Sequence, residues 1–156
     1  MGFKSKEFHK AKFQPRTTDV SVPGLADWFD GPSIWKVRGL TGNELGRCNE
    51  LAERNRKSIS DIVRALIANN GSETAEAIQG LVSLSDDVPQ DVARRIEYMI
   101  AGSVDPDCPV ERAVLLNQAF PIEFRIISEE IFKLTGQGHV PGKPMPSGSE
   151  QTSSST

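Results

Sequence analysis

The stretch I-W-K-V-R-G-L-T-G-N-E-L, residues 34–45, contains the change from strand-like to helix-like sequence that organises this chain of 156 residues. Its first five residues are mostly β-branched or aromatic and follow the turn signal Gly31-Pro32, so residues 34–38 predict a short β-strand. Thr41 and Glu44 have the spacing of a capping box, in which each side chain accepts a hydrogen bond from the other residue's backbone amide. The stretch therefore predicts a strand that leads into a helix beginning at Gly42.

Downstream of this junction, apolar residues repeat at helical spacing as far as Gly136. We expect a helix over 42–56, a short turn at Lys57 and a second helix over 59–69. Four further helices are expected to begin after Ser72, near Pro89, near Pro109 and at Pro121. No strand-like segment interrupts this run. The prediction is a mainly α-helical fold, a compact bundle of about six helices.

Upstream of the junction, residues 15–40 predict a small β-hairpin-like segment. Residues 19–22 alternate between polar and apolar and are suited to pair with 34–38, while residues 25–29 predict one helical turn. A two-stranded unit is only marginally stable alone, so it must rest on the helices. Residues 15–136 therefore form one predicted domain, with strand and turn segments over 15–40 and helices over 41–136.

Both ends of the chain are expected to lie outside this domain. Residues 137–156 are rich in Pro, Gly, Ser and Thr, and we expect a disordered tail there because such a segment buries too little apolar surface to order itself. Residues 1–14 are expected to form a flexible basic arm. Residues 1–16 carry a net charge of +4, which leaves −7 on the remainder. A basic arm on an acidic body could contact nucleic acid or an acidic protein surface, although such segments are more often solvated tails.

The sequence indicates a cytoplasmic location without a membrane contact. No apolar run approaches the ~20 residues that a bilayer span needs, and no apolar segment follows the basic N-terminus as in a signal peptide. The two cysteines are separated by 59 residues and form no disulfide framework. Reduced thiols are typical of a cytoplasm.

The supply of catalytic groups is small, because the chain has only two His and two Cys. His9 and His139 lie in the predicted flexible ends, where no scaffold would hold an imidazole. Cys48 lies on an apolar helix stripe and Cys108 has acidic neighbours, so neither has the surroundings of an activated thiol. We therefore expect no enzyme, and no catalytic, cofactor-binding or metal-binding residues.

A DNA-binding alternative follows from the same central stretch. Strand 34–38 with helices 42–56 and 59–69 has the order of a ribbon-helix-helix unit, in which paired strands of a dimer enter the major groove. Lys36 and Arg38 would then read the bases. The net charge of −7 on the body opposes approach to phosphates, which argues against a nucleic-acid partner.

The remaining signal is apolar. Trp28, Phe29 and Trp35 are concentrated in the segment that is least able to form its own core. They can cap one end of the helical body, or they can form, with the Phe120 and Phe124 region, an exposed groove for an apolar helix of a partner.

Segments spread over residues 15–138 resemble, in the same order, the tail assembly chaperones of long-tailed bacteriophages and prophages. The matching segments are 15–20 (P-R-T-T-D-V), 22–26 (V-P-G-L-A), 35–45, 102–106 (G-S-V-D-P), 113–121 and 134–138 (L-T-G-Q-G). Residues 38–41 match the most distinctive motif of that family, and the same four residues are also accounted for as a strand-to-helix junction with a cap.

The resemblance implies a small, non-enzymatic protein that acts during tail morphogenesis in the cytoplasm of the bacterial host and is absent from the finished virion. Members of the family are thought to coat the tape measure protein, keep it soluble and help to recruit tail tube subunits. The implied partners are the tape measure protein and the major tail protein, with self-association or a longer frameshifted form left open. The predicted partner-binding residues are Trp28, Phe29, Trp35, Arg38, Leu40, Phe120 and Phe124.

Overall fold

The computed structural model of the chain describes residues 2–69 and 89–142. Within these ranges the helices are α1 (Ser5–Lys10), a 3₁₀ helix (Pro23–Trp28), α2 (Gly42–Asn69), α3 (Gln90–Gly102), α4 (Val110–Ala119) and α5 (Pro121–Gly136). The strands are β1 (Phe13–Gln14), β2 (Thr17–Ser21), β3 (Ile34–Arg38), β4 (Ser103–Asp105) and β5 (Val140–Pro141). The predicted fold class, mainly helical with a small β-structured segment, is confirmed.

Helix α2 begins where the capping box predicts. The backbone N–H of Glu44 donates to Thr41 Oγ1 at 3.1 Å, and the backbone N–H of Thr41 donates to Glu44 Oε1 at 2.9 Å. The backbone N–H groups of Thr41 and Glu44, at the start of the helix, have no carbonyl partner within it, and each gains an acceptor in this way. The junction between β3 and α2 is therefore a local consequence of the sequence.

Helix α2 then continues for 28 residues, so the predicted turn at Lys57 is wrong. Residues 47–69 contain no glycine or proline that would end a helix. Cys48, Ala52 and Ile59 are all buried, and their separations of four and seven residues keep them on one face through the expected turn. One buried face thus continues from Cys48 to Ile59, across the position of the expected turn.

Helices α3, α4 and α5 confirm the predicted helix positions. Pro89 and Pro109 directly precede α3 and α4, and Pro121 is the first residue of α5. Proline fits these places because its missing N–H is one that a helix start leaves unpaired. The helix predicted after Ser72 lies in residues 70–88, outside the described residues.

The main sheet has three antiparallel strands in the order β2-β3-β4. Val20 pairs with Trp35, and Lys36 lies between Asp19 on β2 and Asp105 on β4. The predicted pairing of the two N-terminal strands is confirmed, but the expectation that no strand interrupts the helices is wrong. Strand β4 has only three residues and lacks a local signature, because its conformation depends on pairing with the distant β3.

The pairing of β3 bears on the DNA-binding alternative. A ribbon-helix-helix strand pairs with the same strand of a second chain, whereas β3 has β2 on one edge and β4 on the other. The continuous α2 also replaces the two helices, 42–56 and 59–69, that this arrangement requires. The described residues give the alternative no support.

Both predicted flexible ends include ordered residues. Residues 5–10 form α1, and β1 pairs with β5, with Phe13 opposite Pro141. Arg16 Nε donates to the carbonyl of Gly138 at 3.1 Å, which holds the two segments together beyond α5. The predicted boundary after residue 14 directly follows β1, the predicted end of the domain at 136 precedes β5, and residues 143–156 lie outside the described residues.

The core lies where α3 packs against α2, α4 and α5, while β2 and β3 pack on α5. Its largest fully buried side chains are Phe124, Ile59, Ile96, Met99, Ile127 and Ile131. Glu97 and Ser128 are the buried polar residues among those described. Ser128 accepts a hydrogen bond from Arg95 Nη1 at 2.9 Å and donates to the carbonyl of Arg125, so its burial is compensated.

Candidate partner-binding groove

An open groove runs between the 3₁₀ helix with its following loop, strand β3 and helix α4. Its cavity volume of about 1020 Å³ lies at the upper end of the range for ligand sites. We call it the groove throughout. It is lined by Asp19, Leu25, Trp28, Phe29, Asp30, Pro32, Ile34, Trp35, Lys36, Asp105, Pro106, Arg112, Leu115, Leu116, Ala119 and Phe120.

The surface of the groove is predominantly apolar, and part of it is open to solvent. Trp28 is 74% exposed and Leu115 is 42% exposed, and they belong to the 3₁₀ helix and to α4 respectively. Leu25, Trp35 and Leu116 are buried and supply the base of the groove. Large apolar side chains that remain exposed around a concavity are typical of binding surfaces.

Hydrogen bonds fix the base of the groove. The indole Nε1 of Trp35 donates to Ser103 Oγ at 2.9 Å, which ties β3 to the start of β4. Arg112 Nη1 donates to the backbone carbonyl of Asp107 at 2.6 Å and to its Oδ1 at 2.9 Å. These contacts hold α4 against the loop that follows β4.

Five charged residues line the groove, three acidic and two basic: Asp19, Asp30, Asp105, Lys36 and Arg112. Arg112 is paired with a carboxylate outside the groove, that of Asp107. Among the described residues, the groove thus holds three aspartates and one cation, Lys36, that forms no ion pair with any of them, in a site that is otherwise mainly apolar. This combination suits an apolar partner that also carries positive charge.

Four of the seven predicted partner-binding residues meet in this groove. Trp28, Phe29, Trp35 and Phe120 all line it, although Phe120 is 85 residues or more from the other three in sequence. The two aromatic regions that the sequence offered separately are thus one site. Trp35 contributes only a buried wall, since 3% of its surface is exposed.

The other three predicted residues lie elsewhere. Leu40 and Phe124 are buried in the core, where a partner cannot reach them, so their assignment as partner-binding residues is corrected. Arg38 is held by Glu44: its Nη1 and Nη2 donate to the two carboxylate oxygens at 2.9 and 2.7 Å. The motif that is most distinctive in the resemblance thus serves the junction and not the groove.

The Arg38 contact also sets the protonation of the junction. Hydrogen bonding to Arg38 lowers the pKa of Glu44 to about 2, against a smaller opposing effect of burial. The same contact raises the pKa of Arg38. Both groups therefore remain charged over the physiological range, and the capping box gains a charge-assisted pair.

Sequence reasoning missed the α4 side of the groove. Leu115, Leu116 and Ala119 belong to a helix that was read only as part of the bundle, and Pro106 to a connecting loop. The pair Leu115-Leu116 is not a decisive signal, because adjacent helix residues can share a buried face, as Ala113 and Val114 do on the same helix. Only the structure shows that Leu116 is buried and that Leu115 is 42% exposed.

The thiols have the surroundings of inert groups. Burial raises the pKa of Cys48 to about 11 and that of Cys108 to about 12. The acidic neighbours invoked for Cys108 contribute, but burial is the larger cause. Among residues 2–69 and 89–142, no three His, Cys, Asp or Glu side chains form a group that could hold a metal ion.

Within the described part of the chain, no helix combines the length and the apolar character required to cross a bilayer. Comparison with known proteins adds no assignment for the groove. No protein-family model, curated protein or solved structure matches the chain.

Proposed function

We propose that the protein is a phage tail assembly chaperone that binds the tape measure protein through the groove, keeps it soluble and helps to recruit tail tube subunits. The observation that carries the proposal is the groove itself, where exposed and half-buried aromatic side chains converge. The resemblance of residues 15–138 supplies the identity of the client. In this role the protein would bind the tape measure protein in the host cytoplasm and release it during tail assembly.

The shape and chemistry of the groove suit a helical client. Trp28 and Leu115 offer exposed apolar contacts on its two sides, and Trp35 and Leu116 form a base between them. An amphipathic helix binds in such a groove through apolar side chains three and four residues apart. A tape measure protein with a repeated apolar pattern would present many such segments.

Reversible action is part of the proposal, because the chaperone must later be displaced. A groove of about 1020 Å³ holds only a few side chains of a long client, so each copy covers a short segment of it. Many copies along one long client would keep its apolar surface covered, because only a small part is uncovered whenever one copy dissociates. Polymerising tail tube subunits could then displace them one at a time.

Co-expression with fragments of the tape measure protein, followed by pull-down, tests the proposal. Trp28→Ala removes the most exposed large side chain of the groove, and we expect at least a tenfold loss of captured fragment. Ile122→Ala is the matched control, because Ile122 is 64% exposed on α5 but does not line the groove. This variant should capture the fragments as the unaltered protein does.

Two results would count against the proposal. Equal capture by Trp28→Ala and by the unaltered protein would show that the groove is not the client site. Failure of the unaltered protein to capture any tape measure fragment would show that the tape measure protein is not its client. Circular dichroism of both variants should match the parent, which separates loss of binding from loss of fold.

A further inference from the structure

The N-terminal arm (residues 2–14) combines exposed aromatic rings with positive charge. The ring centroid of Phe8 lies 5.1 Å from those of Phe3 and Phe13, and all three rings are more than 40% exposed. Four lysines surround them, opposed by one glutamate: Lys4, Lys6, Lys10, Lys12 and Glu7. The arm therefore presents a small apolar cluster within a basic segment.

The groove has the opposite charge and the same apolar character. Its three aspartates, Asp19, Asp30 and Asp105, form no ion pair with any described residue. In the same part of the chain, Lys6 and Lys10 on the arm also form none. Arm and groove are thus complementary in charge, and each leaves aromatic surface in water.

The arm reaches the groove of its own chain only by extending and losing α1, because its rings cluster next to its paired base. Strand β1 at the base is held by β5, next to the C-terminal end of α5. The groove lies at the other end of that helix, beside Phe120. The 16 residues of α5 separate the two by about 24 Å at 1.5 Å per residue. The arm of another copy has no such constraint.

We propose that the N-terminal arm of one copy binds in the groove of a second copy. The contact joins two different surfaces, so it is heterologous and adds copies head to tail. It relies on the groove being a binding surface, which is the premise of the proposed function, but it requires no particular client. A client that enters the groove displaces the arm, and the arm covers the apolar groove until then.

Sedimentation equilibrium of the full chain with exchanged charges tests this contact. The variant K6E/K10E makes the arm acidic, and the variant D30K/D105K makes the groove basic. Each alone places like charges opposite each other, so we expect its self-association to weaken at least tenfold. An equimolar mixture of the two restores complementary pairs in both directions, and we expect association to return to the level of the unaltered protein.

Every outcome of this experiment decides the proposal, and none involves a client. It is overturned if the unaltered protein stays monomeric at low salt up to about 100 µM, where contacts with micromolar Kd are populated. It is also overturned if either variant associates normally, since another surface then joins the copies, or if the mixture does not recover. Matching thermal unfolding of both variants verifies that these exposed substitutions leave the fold intact.

Discussion

The two ends of strand β3 are built on opposite principles. At the Arg38 end, Leu40 is buried, its backbone N–H donates to Thr135 Oγ1 at 2.9 Å, and Arg38 is paired with Glu44. At the Ile34 end, the strand lines the groove, where Trp28 and Leu115 leave apolar surface in water. One end satisfies its groups inside the chain, whereas the other leaves apolar surface exposed.

Within the five residues of β3, the Arg38 end contributes to stability and the Ile34 end lies at the proposed binding surface. Gly39 shows how closely the Arg38 end packs. A Cβ at this position would lie 3.0 Å from the carbonyl carbon of Leu134 and clash with the backbone of α5. At the groove end, most of the Trp28 side chain is exposed, so it contributes little to the packing of the fold. Substitutions at the Arg38 end should therefore change unfolding, and those at exposed residues of the groove, such as Trp28, should change binding.

At the Arg38 end, the largest effect is expected from Leu40→Ala. Leu40 is 3% exposed in the core, and truncation of such a side chain leaves a cavity that costs about 3 kcal/mol in free energy of unfolding. Chemical denaturation monitored by circular dichroism measures the loss. A change below about 0.5 kcal/mol would mean that this end of β3 contributes less to the core than its burial indicates.

Thr135→Val should have the next largest effect. The substitution keeps the shape of the side chain but leaves the N–H of Leu40 without its acceptor, at a cost of about 2 kcal/mol. The Thr135 hydroxyl also donates to the carbonyl of Ile131, which retains its other contacts in the helix. Thr135→Ser, which keeps the hydroxyl, is the matched control for denaturant titration and should lose distinctly less stability.

Glu44→Gln should reveal a pH-dependent part of the stability. The folded pKa of about 2 lies below the unfolded value of about 4.3, so the stabilisation is complete above pH 5 and is lost as the pH falls toward 2. Because the Glu44 side chain is 35% exposed, we expect about 1–2 kcal/mol, less than the full shift would give.

Thermal unfolding of both proteins between pH 7 and pH 2 measures this contribution. The gap between Glu44→Gln and the unaltered protein should narrow across the range from pH 5 to pH 2. A gap that stays constant with pH would indicate that the carboxylate acts through packing and not through its charge.

Trp28→Ala should have the smallest effect on stability. The side chain is mostly in water, so the change in free energy of unfolding should stay within about 0.5 kcal/mol. Trp35→Ala, 3% exposed in the same groove, should cost about 3 kcal/mol. Similar losses for the two variants, measured by denaturant titration, would show that the fold uses the exposed Trp28 side chain as much as the buried Trp35.

Local signals explain what the sequence could predict. The capping box at Thr41 and the prolines before or at the helix starts act within a few residues, so the helices they begin were predicted correctly. The continuity of α2 was missed at the turn expected at Lys57, although no helix-breaking residue lies beside it. Strand β4 was missed because its conformation comes from pairing with residues 66 and 69 positions away.

The groove was predicted only in part, because it too depends on contacts between residues that are distant in sequence. Exposed aromatic residues in a poorly packed segment pointed to Trp28 and Phe29, and the structure places Phe120 with them. The burial of Leu40 and Phe124 depends on distant elements that sequence spacing does not reveal. The α4 side of the groove likewise requires knowledge of which helix face the bundle leaves uncovered.

The contrast between Trp28 and Trp35 makes the groove an optical reporter. These are the chain's two tryptophans, one largely in water and the other 3% exposed at the base of the same groove. A collisional quencher such as iodide should reach the indole of Trp28 and spare that of Trp35. Any occupant of the groove, whether client or arm, would shield Trp28 and shift its emission to the blue, so occupancy can be followed without a label.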